Sequence, residues 1–181
     1  MKEGNKIMDA IKKIFKKHGK IILAAIAVLV VVMCFLPAVT QTVEVFGESK
    51  TTTYSLFDVA FGKTLSEGAV GGVASGTSKI TFSILNVLII VLPVAAAVVA
   101  FVLKGKVSSI VSLACFAVAA ILLFMVPSLS SVATEVTILG KTGEEVKTFA
   151  ELEFSLGIGA IIGAVLAILG AGSAALKLIA E

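Results

Sequence analysis

The chain has 181 residues, 58% of them hydrophobic, with fifteen Lys, twelve acidic residues, one His, no Trp and a formal net charge of +3. The apolar share exceeds the roughly 45–50% usual for soluble domains, and four apolar runs without an ionisable residue leave no room for a separate soluble enzyme domain. A single His excludes a metal site built on two imidazoles, and the lack of Arg removes the planar fork that clamps phosphates, so nucleic acid is not an expected partner.

Residues 1–20 carry Lys2, Lys6, Lys12, Lys13, Lys16, Lys17 and Lys20. At helical spacing Ile7, Met8, Ile11, Ile14 and Phe15 fall on one side and the Lys residues on the other. This predicts a basic amphipathic helix on an anionic inner leaflet, with Lys12, Lys13, Lys16 and Lys17 as lipid-surface contacts; the same charges would also serve simply to set topology. His18 has no partner motif. The first apolar run, Ile21–Val39, has about the length of a membrane-crossing helix. It is too long for a usual signal-peptide core, and Leu36-Pro37-Ala38 is a poor cleavage site, so a retained first span over 21–39 is expected, ending near Pro37.

In the loop 40–79, Thr42–Phe46 and Thr51–Phe61 read as a β-hairpin around Gly47-Glu48-Ser49-Lys50, and Ser66–Ser78, with Gly68, Gly71, Gly72 and Gly76, reads as an irregular return. A second span over 80–103, Ile80–Leu103, contains Asn86 and, mid-run, Pro93, which should kink it. The connector 104–106 is so short that the third span, 107–127 (Val107–Val126 closed by Pro127), must run antiparallel to the second. Asn86, with Ser83, Ser108, Ser109 and Ser112, is expected to hydrogen-bond across helices; the alternative is a solute route near Asn86 and Pro93. The loop 128–153 holds a second hairpin, Thr134–Leu139 and Glu144–Phe149 about Gly140–Gly143. Two isolated hairpins are marginal, so pairing into one small antiparallel sheet is expected. The fourth span over 154–176, Phe154–Leu176, carries Gly159, Gly163, Ala167, Ala171 and Ala175 every four residues, with Gly157 and Gly172 as further small positions. That stripe marks a tight helix contact, within the chain or between copies. A tail, 177–181, follows.

Ten Lys residues fall on the side of the termini and the 104–106 connector, against five Lys and nine acids in the two larger loops. The positive-inside rule then places both termini in the cytoplasm and both loops outside. Gly62-Lys63-Thr64 and Gly140-Lys141-Thr142 look like the end of a phosphate-binding loop, but Phe57 and Glu135 stand where its first Gly is required. Cys34 and Cys115 read as small buried side chains at different depths. No metal-ligand spacing and no nucleophile motif is present, so no catalytic residue, metal or cofactor is expected.

The layout of four spans, inner termini, a strand-bearing first loop and a hairpin in the second resembles the claudin-type tetraspan proteins, without that family's first-loop Trp and paired Cys. Tyr54–Gly62 and Ser155–Ala160 are similar to segments of uncharacterised small tetraspan proteins of low-GC bacteria. The resemblance implies adhesion, barrier or accessory-subunit roles. The expectation is therefore a membrane all-α fold with a small β-cap: a four-helix transmembrane bundle, both termini inside, carrying an extracellular antiparallel sheet. It would be a non-enzymatic multi-pass plasma-membrane protein acting through its β-cap on a protein partner or a second copy, with anionic inner-leaflet lipids as a further partner. The alternative is a small transporter or channel.

Overall fold

A computed structural model describes residues 2–45, 48–70, 74–139 and 141–180. Phe46, Gly47, Gly71, Gly72 and Gly140, nominated as strand, turn or flexible positions, lie outside the described residues, as do the side chains of Ile7, Met8 and Ile11. In chain order the elements are α1 (Lys2–Met33), β1 (Pro37–Val45), β2 (Glu48–Ser55), α2 (Leu56–Phe61), β3 (Lys63–Val70), β4 (Ala74–Ile80), α3 (Ile84–Val102), α4 (Lys106–Phe124), α5 (Val126–Leu129), β5 (Ser131–Ile138), β6 (Lys141–Thr148), β7 (Ser155–Leu156) and α6 (Ile158–Ala180). They form a helical unit, Met1–Met33, Ile89–Ile121 and Ile162–Glu181, and a strand-bearing unit, Cys34–Leu88 and Leu122–Ile161.

Among the described residues three helices, α3, α4 and α6, are long and apolar enough to cross a membrane. In the helical unit the interior is built from small side chains: Ala96, Ala100, Ala119, Ala120, Ala164, Ala167 and Ala174 are buried beside Leu23, Val30, Ile89 and Phe116. The large apolar side chains Val94, Val98, Phe101, Ile110, Ile121, Val165 and Ile168 face outward. A bundle folded by water would reverse this arrangement, whereas one solvated by hydrocarbon packs small residues inside so that backbones approach closely. Gly105, with a φ of 69°, turns the chain between α3 and α4. Ser112 Oγ donates to the Ala96 carbonyl at 3.0 Å and Ser108 Oγ to that of Val99 at 3.3 Å, tying the two helices together. Pro93 sits inside α3, where its missing N–H leaves the Ile89 carbonyl without the usual partner.

The element ends differ from the sequence reading in instructive ways. No break occurs at residue 20: the basic segment and the apolar run form one helix, α1. That helix stops at Met33, and the run Ile21–Val39 is divided because Pro37 opens a strand rather than closing a span. Likewise Ile80 ends β4, so α3 starts only at Ile84, and Ser155-Leu156 is a strand ahead of α6. Apolar residues at these edges are sheet residues, and hydropathy alone does not separate them from helix.

The strand-bearing unit contains two antiparallel sheets, of order β2-β1-β7 and β3-β4-β5-β6, in place of the single sheet expected. Within Ser66–Ser78, residues 66–70 and 74–78 are not irregular but belong to the paired strands β3 and β4. The second-loop hairpin β5–β6 joins that hairpin through seven β4–β5 residue pairs, from Ala74 with Ile138 to Ile80 with Val132. Thr51–Phe61 is only half strand: β2 ends at Ser55, which N-caps α2. Ser55 Oγ accepts from the Asp58 N–H at 3.2 Å while the Asp58 carboxylate accepts from the Ser55 N–H at 3.1 Å, a capping box. The α2 side chains Leu56, Val59 and Ala60 are buried. Tyr54, Phe149 and Phe154 form an aromatic cluster, with Phe149 and Phe154 edge to face at 4.6 Å.

Candidate functional site

Strand alternation gives the four-stranded sheet two unlike faces. Register puts Gly68, Gly76, Val136 and Gly143 in one row across all four strands. The adjacent row on the same face is Ser66, Ser78, Thr134 and Glu145, with the Ser78 and Thr134 hydroxyls 3.3 Å apart. The next row places Ile138 there, 54% exposed, beside Val136 at 42%. The opposite face carries the row Glu67, Thr77, Glu135 and Glu144. Lys79 Nζ lies 2.8 Å from Glu135 Oε1 there, and the Thr137 and Thr142 hydroxyls are 2.9 Å apart. Its bond to Glu135 raises the Lys79 ammonium above its ordinary value.

The glycine row has no internal explanation. Each interior strand glycine weakens a sheet by roughly 0.5–1 kcal/mol, and it is usually placed where φ must be positive or where another group comes close. A Cβ at Gly68 would meet nothing within 4 Å, one at Gly76 only the Glu135 carbonyl at 3.8 Å, and one at Gly143 only the Val136 carbonyl at 4.0 Å. Among the described glycines, positive φ is confined to Gly62 and Gly105. The result is a flat strip of exposed backbone with Val136 standing out of it.

Contacts at the strand ends tie the sheet to the short helices beside it. Asn86, in the first turn of α3, is fully buried; its Nδ2 donates to the Val59 carbonyl at 3.1 Å and to Ser130 Oγ at 2.7 Å. Ser130 Oγ in turn donates to the Val126 carbonyl at 2.8 Å. Asn86 thus links α2, α3 and the end of α5, while its buried Oδ1 accepts no hydrogen bond. The Thr81 N–H donates to the Ser131 carbonyl and the Phe149 N–H to that of Ser130. Partial burial pushes the Asp58 carboxyl up, but the Ser55 N–H, the Lys63 ammonium at 3.1 Å and the Ser55 hydroxyl outweigh it, leaving Asp58 below its ordinary value. Glu151 is lowered in the same way by the Thr148 N–H and hydroxyl.

The other residues singled out by sequence are distributed as follows. Gly159, Gly163 and Ala167 are buried, whereas Ala171 and Ala175 are only partly so. Beyond Ala167 the buried face of α6 continues through Gly170, Ala174 and Lys177. A strict four-residue repeat drifts about 40° per step around a helix of 3.6 residues per turn, so it leaves the contact. A Cβ at Gly170 would lie 2.6 Å from the Phe116 ring. Gly157 seats against the Pro37 carbonyl and donates to Ala38 O at 2.8 Å. Lys13, Lys16, Lys17 and His18 are exposed on α1 and Lys12 is half-buried. Gly62 of the first phosphate-loop look-alike caps α2, and its Lys63 pairs with Asp58. Cys34 is buried and Cys115 half-buried. Among the described residues no cluster of His, Cys, Asp and Glu is disposed to hold a metal. The glycine row escaped the sequence reading because Gly68 and Gly76 signalled a loop. The alternation of Glu67 with Ser66 and Gly68 was the strand signal within it.

No protein-family model matches the chain, and no curated protein or solved structure matches it either.

Proposed function

We propose that the chain is a non-enzymatic multi-pass plasma-membrane protein acting as a structural, adhesion or accessory-subunit module through its strand-bearing unit. The observation that carries this reading is the row Gly68, Gly76, Val136 and Gly143, whose glycines have no reason within the chain. Flat exposed backbone is what a closely apposed protein surface requires, and Val136 and Ile138 give such a partner apolar anchors. In this reading α1 supplies a fourth crossing through Ile21–Met33, aided by Lys stems that reach the headgroups. The Lys excess of the termini and connector supports cytoplasmic ends and an outward-facing β-cap of claudin-like layout.

The test exploits the sign of the effect. Gly76→Thr and Gly143→Thr fill open space with a residue that favours strands, so the protein's thermal stability should hold or rise. A photo-crosslinker at Val136 in intact membranes should join the wild-type chain to a partner or a second copy, and both substitutions should abolish that product. Unchanged crosslinking in both would remove the face as the contact surface. The rival reading, a solute route near Asn86 and Pro93, has less support: both side chains are fully buried and both Asn86 amide hydrogens are engaged.

A further inference from the structure

At one end of the helical unit, α1, α3 and α6 surround a recess of about 300 Å³. Its walls are Lys16, Lys17 and Lys20 from α1, Lys177 from α6, and the apolar Phe15, Ile21 and Phe101. Among the described residues no acidic side chain lines it. We propose that this recess is a binding site for the headgroup of an anionic phospholipid, the phosphate held by the Lys ammonium groups and the first acyl carbons lying against Ile21 and Phe101. The proposal rests on the membrane-spanning reading of the helices and is independent of the sheet face.

Three observations make the recess a built site rather than a patch of scattered charge. First, Lys177 is held in place: it is 4% exposed and its Nζ donates to Ser108 Oγ at 3.2 Å. Its aliphatic stem crosses α1 at Gly19, where a Cβ would come within 3.2 Å of Lys177 Cδ, so Gly19 lets the two helices close around it. Second, Lys20 Nζ reaches the Phe101 carbonyl at 3.5 Å, at the end of α3 where the last carbonyls lack intrahelical donors. Cations at helix C-termini are favourable, and Lys177 lies in the last turn of α6. Third, Lys16, Lys17 and Lys20 bring three like charges to one recess, and an anion placed between them relieves their repulsion. Basic pockets between helices on the cytoplasmic side are where anionic headgroups bind, and exposed apolar walls such as Ile21 and Phe101, 62% and 53% exposed, suit the attached acyl chain.

The experiment uses the full chain in mild detergent and native mass spectrometry with phosphatidylglycerol, cardiolipin and phosphatidylcholine supplied in equal amounts. The expected result is retention of phosphatidylglycerol or cardiolipin over phosphatidylcholine by about tenfold. K16Q/K17Q/K20Q should cut that retention about tenfold, while K50Q/K104Q/K106Q, which removes the same charge outside the recess, leaves it unchanged. Equal loss in both triple variants, or equal retention of phosphatidylcholine, overturns the site. Competition by inorganic phosphate at the lipid's own concentration overturns the assignment to lipid. Carbonate-resistant membrane association of every variant, measured alongside, tests the spanning reading separately, and K20Q alone serves if the triple variant does not fold.

Discussion

Asn86 shows how one buried amide fixes several segments at once. Both its N–H groups are committed, to the Val59 carbonyl and to Ser130 Oγ, so the position is built for a donor. Asn86→Leu leaves that carbonyl unpaired and should cost about 1–3 kcal/mol. Asn86→Asp is expected to be worse, because a carboxylate would then face the same carbonyl in a buried site. Chemical unfolding in detergent should rank wild type above Asn86→Leu and Asn86→Leu above Asn86→Asp. The sequence pointed to Asn86 because an amide among apolar residues stands out. It did not disclose the partners, since Val59 sits on a short helix inside a segment that reads as strand. Lys177 illustrates the opposite case: a charge four residues from the chain end reads as solvated tail, and only the space beside Gly19 shows why its stem is buried.

At the scale of single elements, α6 separates glycines that serve packing from those that do not. Gly170 lies under the Phe116 ring, so Gly170→Ala forces the ring or the helix to move and should cost about 1–3 kcal/mol. Gly172, two residues on, meets nothing within 4 Å, and Gly172→Ala should stabilise the helix by about 0.5–1 kcal/mol. The pair of thermal melts should therefore move in opposite directions. Periodicity located the helix and its small-residue character but not Gly170, because a four-residue repeat follows a line that curls away from the contact. Helix types and rough positions were legible from hydropathy. Helix starts were not, because Ile80 and Ser155-Leu156 are apolar or neutral residues used by strands. Pairing of the first-loop and second-loop hairpins was legible only as a need for mutual support. The glycines that flatten the sheet disguised which hairpin would provide it.

For the molecule as a whole, the proposed threading has a direct readout. In a variant freed of Cys34 and Cys115, a single Cys at Ser49 or Thr142 should react with a membrane-impermeant maleimide in intact cells. A single Cys at Lys106 should react only after permeabilisation. Reaction of all three from outside would remove the inner placement of the α3–α4 connector. The order of the four-stranded sheet also has a consequence for synthesis. Strands β4 and β5 are neighbours in space, yet α3, α4 and α5 are made between them. Roughly fifty residues at about 5–20 residues per second leave the hydrogen-bonding edge of β4 without its neighbour for about 3–10 s on every newly made chain. During that interval the β3–β4 hairpin stands as a two-stranded fragment with an open edge, and its glycines and the Lys79 charge make it a poor template for another copy. The features that flatten the finished sheet thus also guard the unfinished one against premature pairing.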